Sequence, residues 1–424
     1  MRRFTRVSAG CLWVCARIFL LAGSQAGAQS SSETAGAQTG VGPAERNAML
    51  ISRISQRMMA NLKRQPNYTC TETVERSHRA SATHKFQLID TIRLEVALVG
   101  GKEMYGWPGA KKFENTELSE IIGAGGAIAN GDFALHARAI FGSGAAAFEY
   151  RAAGETATQP WVRFDYRVAL ARSGFSLRVG DREAIVAYHG SIEADPVSLD
   201  VERIDVIADQ IPRDLGIHIT TDHLEYARKR IGDSDFLLPS ESELTMVDND
   251  GGENRNHVRF ASCRQFSGES VLTFDDPPVS TAEAPAHIED IDLPPDLELT
   301  LVLADDIDLT KAAIGDPVHA RLQNDLKVKG SVLLAKNAVA TGRLTRLEHH
   351  DDHILLGLMF DELDLPAVRA HARLKMLGVF GADRITSRRN YALAPLKPGE
   401  GVIPIAGGVK RVTHGLTMLW STEP

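Results

Sequence analysis

The chain has 424 residues, which is long for a single domain and predicts two folded units, each with its own hydrophobic core. Hydrophobic residues make up 43% of the chain and charged residues 24%, which excludes a disordered, collagenous or polytopic membrane protein. The formal net charge of -8 disfavours nucleic acid as a partner.

The first 28 residues have the three parts of an export signal. Arg2, Arg3 and Arg6 form a basic start, an apolar stretch follows, and residues 26–28 (Ala-Gly-Ala) form a cleavage site. Removing the four arginines of this leader leaves 43 of the 47 Lys and Arg against 55 Asp and Glu, a charge of about -12. No later run approaches the roughly 20 apolar residues of a membrane span. We expect an exported protein of the periplasm or outer envelope, without a transmembrane segment in the mature chain.

Two cysteines remain once Cys11 and Cys15 leave with the leader. They are Cys70 and Cys263, and in an oxidising compartment a disulfide between them is the first interpretation. Closing a loop of about 194 residues would stabilise the fold by roughly 5 kcal/mol on the chain-entropy model. Two separate buried thiols are the alternative.

The segment after the leader begins with a spacer rich in Ser, Gly and Ala. From Pro43, apolar residues at helical spacing predict one amphipathic helix, which Pro66 ends. From residue 86 the pattern changes to period two, which predicts a long strand with one wet face, and Gly100 and Gly101 predict a hairpin turn after it.

Residues 123–144 are rich in Gly and Ala and have no clear assignment beyond a short helix over residues 133–141. From residue 146 to 273, strand patterns follow one another with short polar turns between them. Parallel pairing needs crossovers of a dozen residues or more, so an antiparallel meander is favoured.

A proline-rich stretch then separates a second β unit, which begins with alternating leucines and ends with a strand over residues 415–422. The predicted fold class is mainly β (α+β), with an N-terminal helix on a large curved antiparallel sheet and a second, small antiparallel β-barrel domain. The predicted organisation is a signal peptide (1–28), a disordered spacer (29–43), a half-barrel antiparallel β domain with an N-terminal helix (44–275), a linker (276–296) and a small β-barrel domain closed by the C-terminal strand (297–424).

Three patches of the first unit resemble a group of uncharacterised exported bacterial proteins. They are residues 67–76 (NYTCTETVER), 188–191 (YHGS, with Asp195 at the following turn) and 231–239 (IGDSDFLLP). The resemblance covers roughly residues 44–275 and assigns no catalytic residue. The order of a helix and then a meander with a GSIEADP hairpin is similar to the lipoprotein-carrier fold, the open half-barrel of LolA, LolB and the RseB sensor domain.

The second unit resembles the small β-barrels of TrbI-like secretion-channel subunits. The matching residues are Leu293 and Pro294 leading into Leu297, then 315–318 (GDPV) and 333–338 (LLAKNA). This resemblance implies a β-barrel that mediates assembly contacts.

The strongest metal candidate is residues 349–353, His-His-Asp-Asp-His, since imidazole and carboxylate both ligate divalent ions. Consecutive residues at a hairpin tip point in different directions, so we expect a solvated turn and no metal. Nucleophile-elbow, zinc-protease and Walker A motifs are absent from the sequence, and we predict no catalytic residue and no cofactor. A Ser-His-Asp arrangement assembled in space stays open, because such triads are recognised by geometry.

These observations predict a non-enzymatic envelope protein whose half-barrel binds a lipid, a lipoprotein or a polypeptide. Peripheral contact of the protein with a membrane is compatible with this prediction. A scaffolding component of an envelope assembly and an envelope hydrolase are the alternatives. A curved sheet with a helix on its concave side leaves an apolar pocket suited to acyl chains or an extended peptide. The residues predicted to line this pocket, each of which also fits an ordinary core position, are Ile92, Leu94, Val96, Ile204, Val206, Leu244 and Met246.

Overall fold

The computed structural model describes residues 42–109, 113, 133, 135–156, 159–179, 182–266, 289–350, 352–381, 385–386 and 396–424. The predicted signal peptide, nearly all of the spacer and most of the predicted linker therefore lie outside the described residues.

The predicted amphipathic helix is present as α1 (Pro43–Arg64). Proline suits the first turn because its missing N–H has no helical partner there, and the basic last turn complements the helix dipole. Ile54, Met58 and Leu62 form its buried stripe, since residues four apart share a helix face. Beside this stripe, the Asn61 side chain bonds to both the N–H and the C=O of Leu237. The helix is thus fixed to the sheet by both apolar and polar contacts.

The first sheet has ten strands. They are β1 (Tyr68–Arg79), β2 (Gln87–Val99), β3 (Lys102–Gly106), β4 (Ala147–Glu155), β5 (Pro160–Val168), β8 (Ala187–Ala194), β9 (Val201–Asp209), β10 (Ile217–Ile231), β11 (Ser234–Asp248) and β12 (Glu253–Gln265). Their spatial order is β3-β2-β1-β12-β11-β10-β9-β8-β5-β4. A separate hairpin is formed by β6 (Ser176–Val179) and β7 (Arg182–Ile185). All the pairs are antiparallel, and the first strand β1 lies beside the last strand β12.

Alternation along each strand gives this sheet two different faces. We call the face that α1 covers the inner face and the opposite one the outer face. In β5, Val162, Phe164 and Tyr166 are buried on the inner face, and Arg163 and Asp165 lie on the outer face. Ion pairs join neighbouring strands on the outer face. One wet face and one buried face were predicted from the period-two pattern.

Short helical turns lie on the inner face beside α1. Leu135–Ala137 is helical and is continued by a π-helical turn, Arg138–Gly142; together these residues, 135–142, are called the inner segment. Its Ala137, Ile140 and Phe141 belong to the same buried cluster as the apolar stripe of α1. Single turns also occur at Leu170–Arg172 and Arg213–Leu215.

The second sheet has nine strands. They are β13 (Glu289–Asp292), β14 (Glu298–Leu303), β16 (Pro317–Leu322), β19 (Val339–His349), β20 (His353–Leu365), β21 (Val368–His371), β22 (Arg373–Phe380), β23 (Gly401–Ala406) and β25 (Thr417–Glu423). Their order is β13-β21-β20-β19-β16-β14-β25-β22, and β23 pairs with β20 off this path. Two small ladders are formed by β15 (Ile307–Asp308) with β24 (Arg411–Val412) and by β17 (Leu326–Val328) with β18 (Ser331–Leu334). Only β13 with β21 is parallel among these described strand pairs.

The two sheets belong to one compact unit, Ala44–Pro424. Ile314 forms a parallel bridge to Ile92 of β2, with its carbonyl accepting from the N–H of Arg93 and its N–H donating to the carbonyl of Thr91. Gly315 follows, and a Cβ there would lie 2.3 Å from the Arg93 carbonyl oxygen, so only glycine lets the backbones approach.

The predicted fold class is confirmed: a mainly antiparallel β chain with an N-terminal helix and two main sheets, one large and curved and the other a half-barrel. The C-terminal strand β25 lies inside that second sheet, between β14 and β22. The division into domains at residues 44–275 and 297–424 stays a prediction.

Candidate functional site

The seven residues predicted to line a pocket all lie on the inner face of the first sheet and are at most 7% exposed. They do not form one group. Ile92, Leu94 and Val96 belong to a cluster that continues into the second sheet, Ile204 and Val206 belong to the cluster under α1, and Leu244 and Met246 pack with Ile217. None of them lines either of the two surface depressions described below. Their role in ligand binding stays a prediction.

A run of aromatic rings crosses the inner face between β4, β5, β8 and the inner segment. Neighbouring ring centroids along it are 5.6–6.2 Å apart, the range of favourable aromatic pairs. The rings are, in order, Phe141, Phe148, Tyr166, Tyr188, Phe175 and His136. Tyr150 and Phe164 form a further edge-to-face pair on the same two strands, 5.7 Å apart. We call these eight side chains the aromatic run.

The border of the aromatic run carries apolar side chains that are open to solvent. Leu135 is 39% exposed, Tyr150 38% and Leu170 42%. The two segments that carry the leucines are adjacent, because Arg172 donates to the carbonyl of Gly144 and the rings of His136 and Phe175 are in contact. Exposed leucines and a tyrosine beside buried rings give this side of the inner face an apolar border.

A close approach of two strands shapes the middle of the aromatic run. The hydroxyl of Tyr166 crosses over Gly190 and donates to the carbonyl oxygen of Asp205 at 2.8 Å. A Cβ on Gly190 would lie 1.8 Å from that oxygen, so a larger residue cannot occupy this position without a backbone shift. Burial, with added repulsion from Tyr188 and Asp205, raises the pKa of the Tyr166 hydroxyl well above its usual range, so this hydroxyl stays a donor.

A buried polar pair stands at the other end of the aromatic run. Nε2 of His136 lies 3.3 Å from Oδ2 of Asp222, and both side chains are almost fully buried. Thr220, two residues before Asp222 on the same face of β10, is also buried. A buried carboxylate beside an imidazole makes the interior polar here, directly beneath the exposed Leu135 of the border.

The outer face has a depression of about 440 Å³ over β5, β8, β9 and β10. Ser191 Oγ donates to Oδ2 of Asp205 at 2.6 Å, and Nδ1 of His223 lies 2.8 Å from Oδ1 of the same carboxylate. The serine, carboxylate and histidine that a hydrolase needs are therefore in reach of each other, but the carboxylate stands in the middle. A catalytic triad needs the imidazole next to the hydroxyl, to take its proton. This arrangement does not activate Ser191.

A second depression lies at the other end of β9 and β10, lined by Ile211, Arg213, His218 and Asn249 among others. It combines backbone turns and charged side chains, and no aromatic residue lines it.

The His-rich segment forms the turn between β19 and β20, as predicted. The N–H of His350 donates to the carbonyl of His353, and the two rings stack with centroids 4.4 Å apart. Nδ1 of His353 is bonded to Asp352, while Asp351 lies outside the described residues. Burial and His350 lower the pKa of the His349 imidazole. In the part of the chain that the structure describes, no group of three or more His, Cys, Asp or Glu is placed to hold a metal ion.

The aromatic run was not predicted from the sequence. Its local signal is two pairs of rings at period two, Phe148 with Tyr150 on β4 and Phe164 with Tyr166 on β5. Phe175, Tyr188 and the inner segment are distant from these pairs in sequence and meet the rings only in the folded chain. A search for aromatic residues at period two would have found the β4 and β5 members but not the others.

Neither a scan against protein-family models nor a search of curated proteins matches the chain. Among solved structures, the chain is similar to a LolA superfamily protein from Nitrosomonas europaea, with 11% identity over 50% of this chain and 94% of that one and a TM-score of 0.28. It is similar also to an outer membrane lipoprotein-sorting protein domain from Vibrio parahaemolyticus, with 12% identity over 52% and 93% of the two chains and a TM-score of 0.28. Likenesses at these TM-scores establish neither the fold nor the function of the chain.

Neither α1 nor any other helix in the described residues is long and apolar enough to cross a membrane.

Proposed function

We propose that the chain is a non-enzymatic, exported binding protein of the bacterial envelope, and that it holds the acyl chain of a lipid or lipoprotein against the aromatic run. The observation that carries the proposal is the apolar border of that run, where Leu135, Tyr150 and Leu170 are exposed beside buried rings. Ordered, exposed apolar side chains next to an apolar interior are typical of a ligand entrance.

The chemistry of the run suits an acyl chain. Aromatic and aliphatic side chains supply area without polar groups that a hydrocarbon would leave unpaired. Two hydroxyls stand in its middle, on Tyr166 and Tyr188, and that of Tyr166 is already bonded to the Asp205 carbonyl. The His136 and Asp222 pair lies next to Leu135 of the border, and both side chains are too buried to meet a headgroup, so we expect the headgroup to stay at the solvent-exposed border.

The arrangement of the described side chains supports ligand binding and not catalysis. On the outer face, Ser191 lies near Asp205 and His223. Its hydroxyl hydrogen-bonds to the Asp205 carboxylate and not to the His223 imidazole. The predicted lining on β2, β9 and β11 lies on the same inner face as the aromatic run, and its role in binding stays a prediction.

Two measurements test the proposal. Native mass spectrometry of the protein purified from membranes should show a bound lipid, and a fluorescent long-chain fatty acid should bind saturably with a stoichiometry of one. The variant Leu135→Glu/Leu170→Glu, which places charge at the border, should weaken fatty-acid binding at least about tenfold, a loss of about 1.4 kcal/mol.

Val332→Glu is the matched control, because Val332 is an exposed apolar residue of the second half of the chain, in the β17–β18 ladder, and is 51% exposed. It should leave fatty-acid binding unchanged. Absence of saturable binding by the parent protein, or an equal loss in the control, would contradict the proposal. A single protein partner recovered in stoichiometric yield after crosslinking in cells, with no lipid bound, would instead support the scaffolding alternative.

A further inference from the structure

Helix α1 has an unusual distribution of charge. It carries five basic residues and one acidic residue, Glu45, in a chain whose net charge is -8. The basic residues are Arg46, Arg53, Arg57, Lys63 and Arg64. All five are exposed.

Four of these side chains form a line. Arg46, Arg53, Arg57 and Arg64 are separated by seven, four and seven residues, which places them within about 40° of the helix circumference. At 1.5 Å per residue the line is about 27 Å long, nearly the full length of α1. We call these four residues the arginine stripe. Lys63 lies on the same exposed side.

Arg46 is already engaged in an interaction of its own, and carboxylates of the described residues compensate the rest of this charge only in part. Arg57 pairs with Asp200 at 3.5 Å, and Asp200 is at the same time held by two hydrogen bonds from Arg228. Arg53 and Arg64 have no ion pair with any described residue. Arg53 and Arg57, four residues apart, repel each other along the helix. The stripe is therefore a surface that an external negative charge would stabilise.

One exposed apolar side chain stands beside the stripe. Met49, on the exposed side of α1, is 46% exposed and lies about 60° around the helix from the stripe. The inner segment packs against α1 at Met59, about 140° around the helix from the stripe, and is not part of this surface. An acidic protein would match a fixed pattern of arginines, whereas basic and apolar side chains side by side on a helix are typical of contact with a lipid surface.

We propose that the exposed side of α1 docks on the surface of an anionic lipid bilayer. The helix stays packed on the sheet when it docks, because its apolar stripe is buried and Asn61 is bonded to Leu237. The inference goes beyond the proposed function, since it concerns the surface that meets the membrane and not the ligand.

The test is co-sedimentation of the full mature chain with vesicles. Vesicles that contain phosphatidylglycerol should bind the protein, vesicles of phosphatidylcholine alone should not, and salt should weaken the binding. The variant Arg53→Gln/Lys63→Gln/Arg64→Gln keeps good helix formers and leaves the Arg57 ion pair intact. The loss of three charges should lower the partition coefficient roughly 100-fold.

The matched control is Lys327→Gln/Lys375→Gln/Lys410→Gln, which removes three charges from the second sheet and its small ladders. It should bind vesicles as the parent protein does, and thermal unfolding should show both triple variants folded. Equal binding to both vesicle types, equal loss in both variants, or no binding by the parent protein would overturn the inference; in the last case an acidic protein is the remaining partner for the stripe. Fatty-acid binding is a separate measurement, so a protein that binds vesicles but no fatty acid retains this inference and loses the proposed function.

Discussion

Cys70 of β1 and Cys263 of β12 form a disulfide because a β-bulge turns the second cysteine to the inner face. Thr69 pairs with Arg264 and Thr71 with Ala261, so two residues of β12 stand opposite Cys70. The extra residue, Ser262, has a positive φ of 50°. Val258 and Phe260 are inner-face residues, and strict alternation would place Ser262 on that face instead of Cys263. The disulfide was predicted from the sequence and is confirmed.

Loss of this disulfide should destabilise the fold. The two cysteines are 193 residues apart, and the chain-entropy model gives about 5 kcal/mol for a loop of this length. We expect the Cys70→Ser/Cys263→Ser variant to unfold at a lower urea concentration than the oxidised parent protein. Reductant should lower the stability of the parent protein and leave the variant unchanged. Equal stability of the oxidised parent protein and the variant would refute this account.

Asn61 should contribute more to stability than its exposed neighbours on α1. Its side chain accepts from the buried N–H of Leu237 at 2.9 Å and donates to the Leu237 carbonyl at 2.8 Å. Gln65 also reaches this carbonyl at 3.4 Å, so Asn61→Ala chiefly leaves the N–H unpaired. We expect a loss of about 2 kcal/mol in the free energy of unfolding, measured by urea denaturation. Gln56→Ala, at an exposed position of the same helix, should change it by less than about 0.5 kcal/mol.

Gly190 should not tolerate alanine. The added Cβ would lie 1.8 Å from the Asp205 carbonyl oxygen and 3.0 Å from the Tyr166 hydroxyl, so β8 and β9 would have to separate. We expect Gly190→Ala to lower the free energy of unfolding by more than about 2 kcal/mol. Gly174→Ala is the control, because a Cβ at that position would have no atom of the described residues within 4 Å. A Gly190→Ala protein as stable as the parent protein would show that β8 and β9 can separate at this position without a cost in stability.

Glu400 should make the stability of the second sheet depend on pH. Its side chain is fully buried; burial raises its pKa, but hydrogen bonds from Arg346, the Lys397 N–H and Thr345 outweigh burial and lower the pKa below the ordinary 4.5. A carboxyl with a lowered pKa in the folded state stabilises it above the unfolded pKa, and this contribution is lost as the pH falls through the folded value.

Glu400→Gln should therefore lower the free energy of unfolding by about 3 kcal/mol at pH 7, because it leaves the buried Arg346 with only the more exposed Glu348 as a carboxylate partner. Below about pH 4.5 the difference between the variant and the parent protein should shrink. Urea denaturation at a series of pH values measures both effects. A difference that grows as the pH falls would contradict the assigned direction of the pKa shift.

Local patterns were sufficient for much of the fold. Helix α1 follows from the spacing of Ile54, Met58 and Leu62 between two prolines, and β2 and β3 follow from period-two alternation on either side of Gly100 and Gly101. Among the strand patterns between residues 146 and 273, the one over residues 184–193 is divided in the structure. Val186 separates β7 from β8, and its N–H donates to the carbonyl of Phe175. That contact joins segments about ten residues apart, so alternation alone does not reveal it.

The candidate site was less predictable, because its members come from separate parts of the chain. Burial of Ile92, Ile204 and Leu244 on one face follows from alternation, but their division among three clusters depends on what covers each part of the sheet. Here α1 covers one part and the second sheet another, and no local pattern specifies either contact.

The periodicity of each segment, the chemistry of its turns and the charge of each face follow from the amino-acid order alone, since these depend on residues a few positions apart. The seven-four-seven spacing of the arginines on α1 belongs to this class. Which distant segments meet depends on the folded chain: the bulge at Ser262 that brings Cys263 to Cys70, the passage of Tyr166 over Gly190, and the order in which Ser191, Asp205 and His223 bond. These depend on register and on angstrom-scale approach between strands, which packing of the whole chain sets.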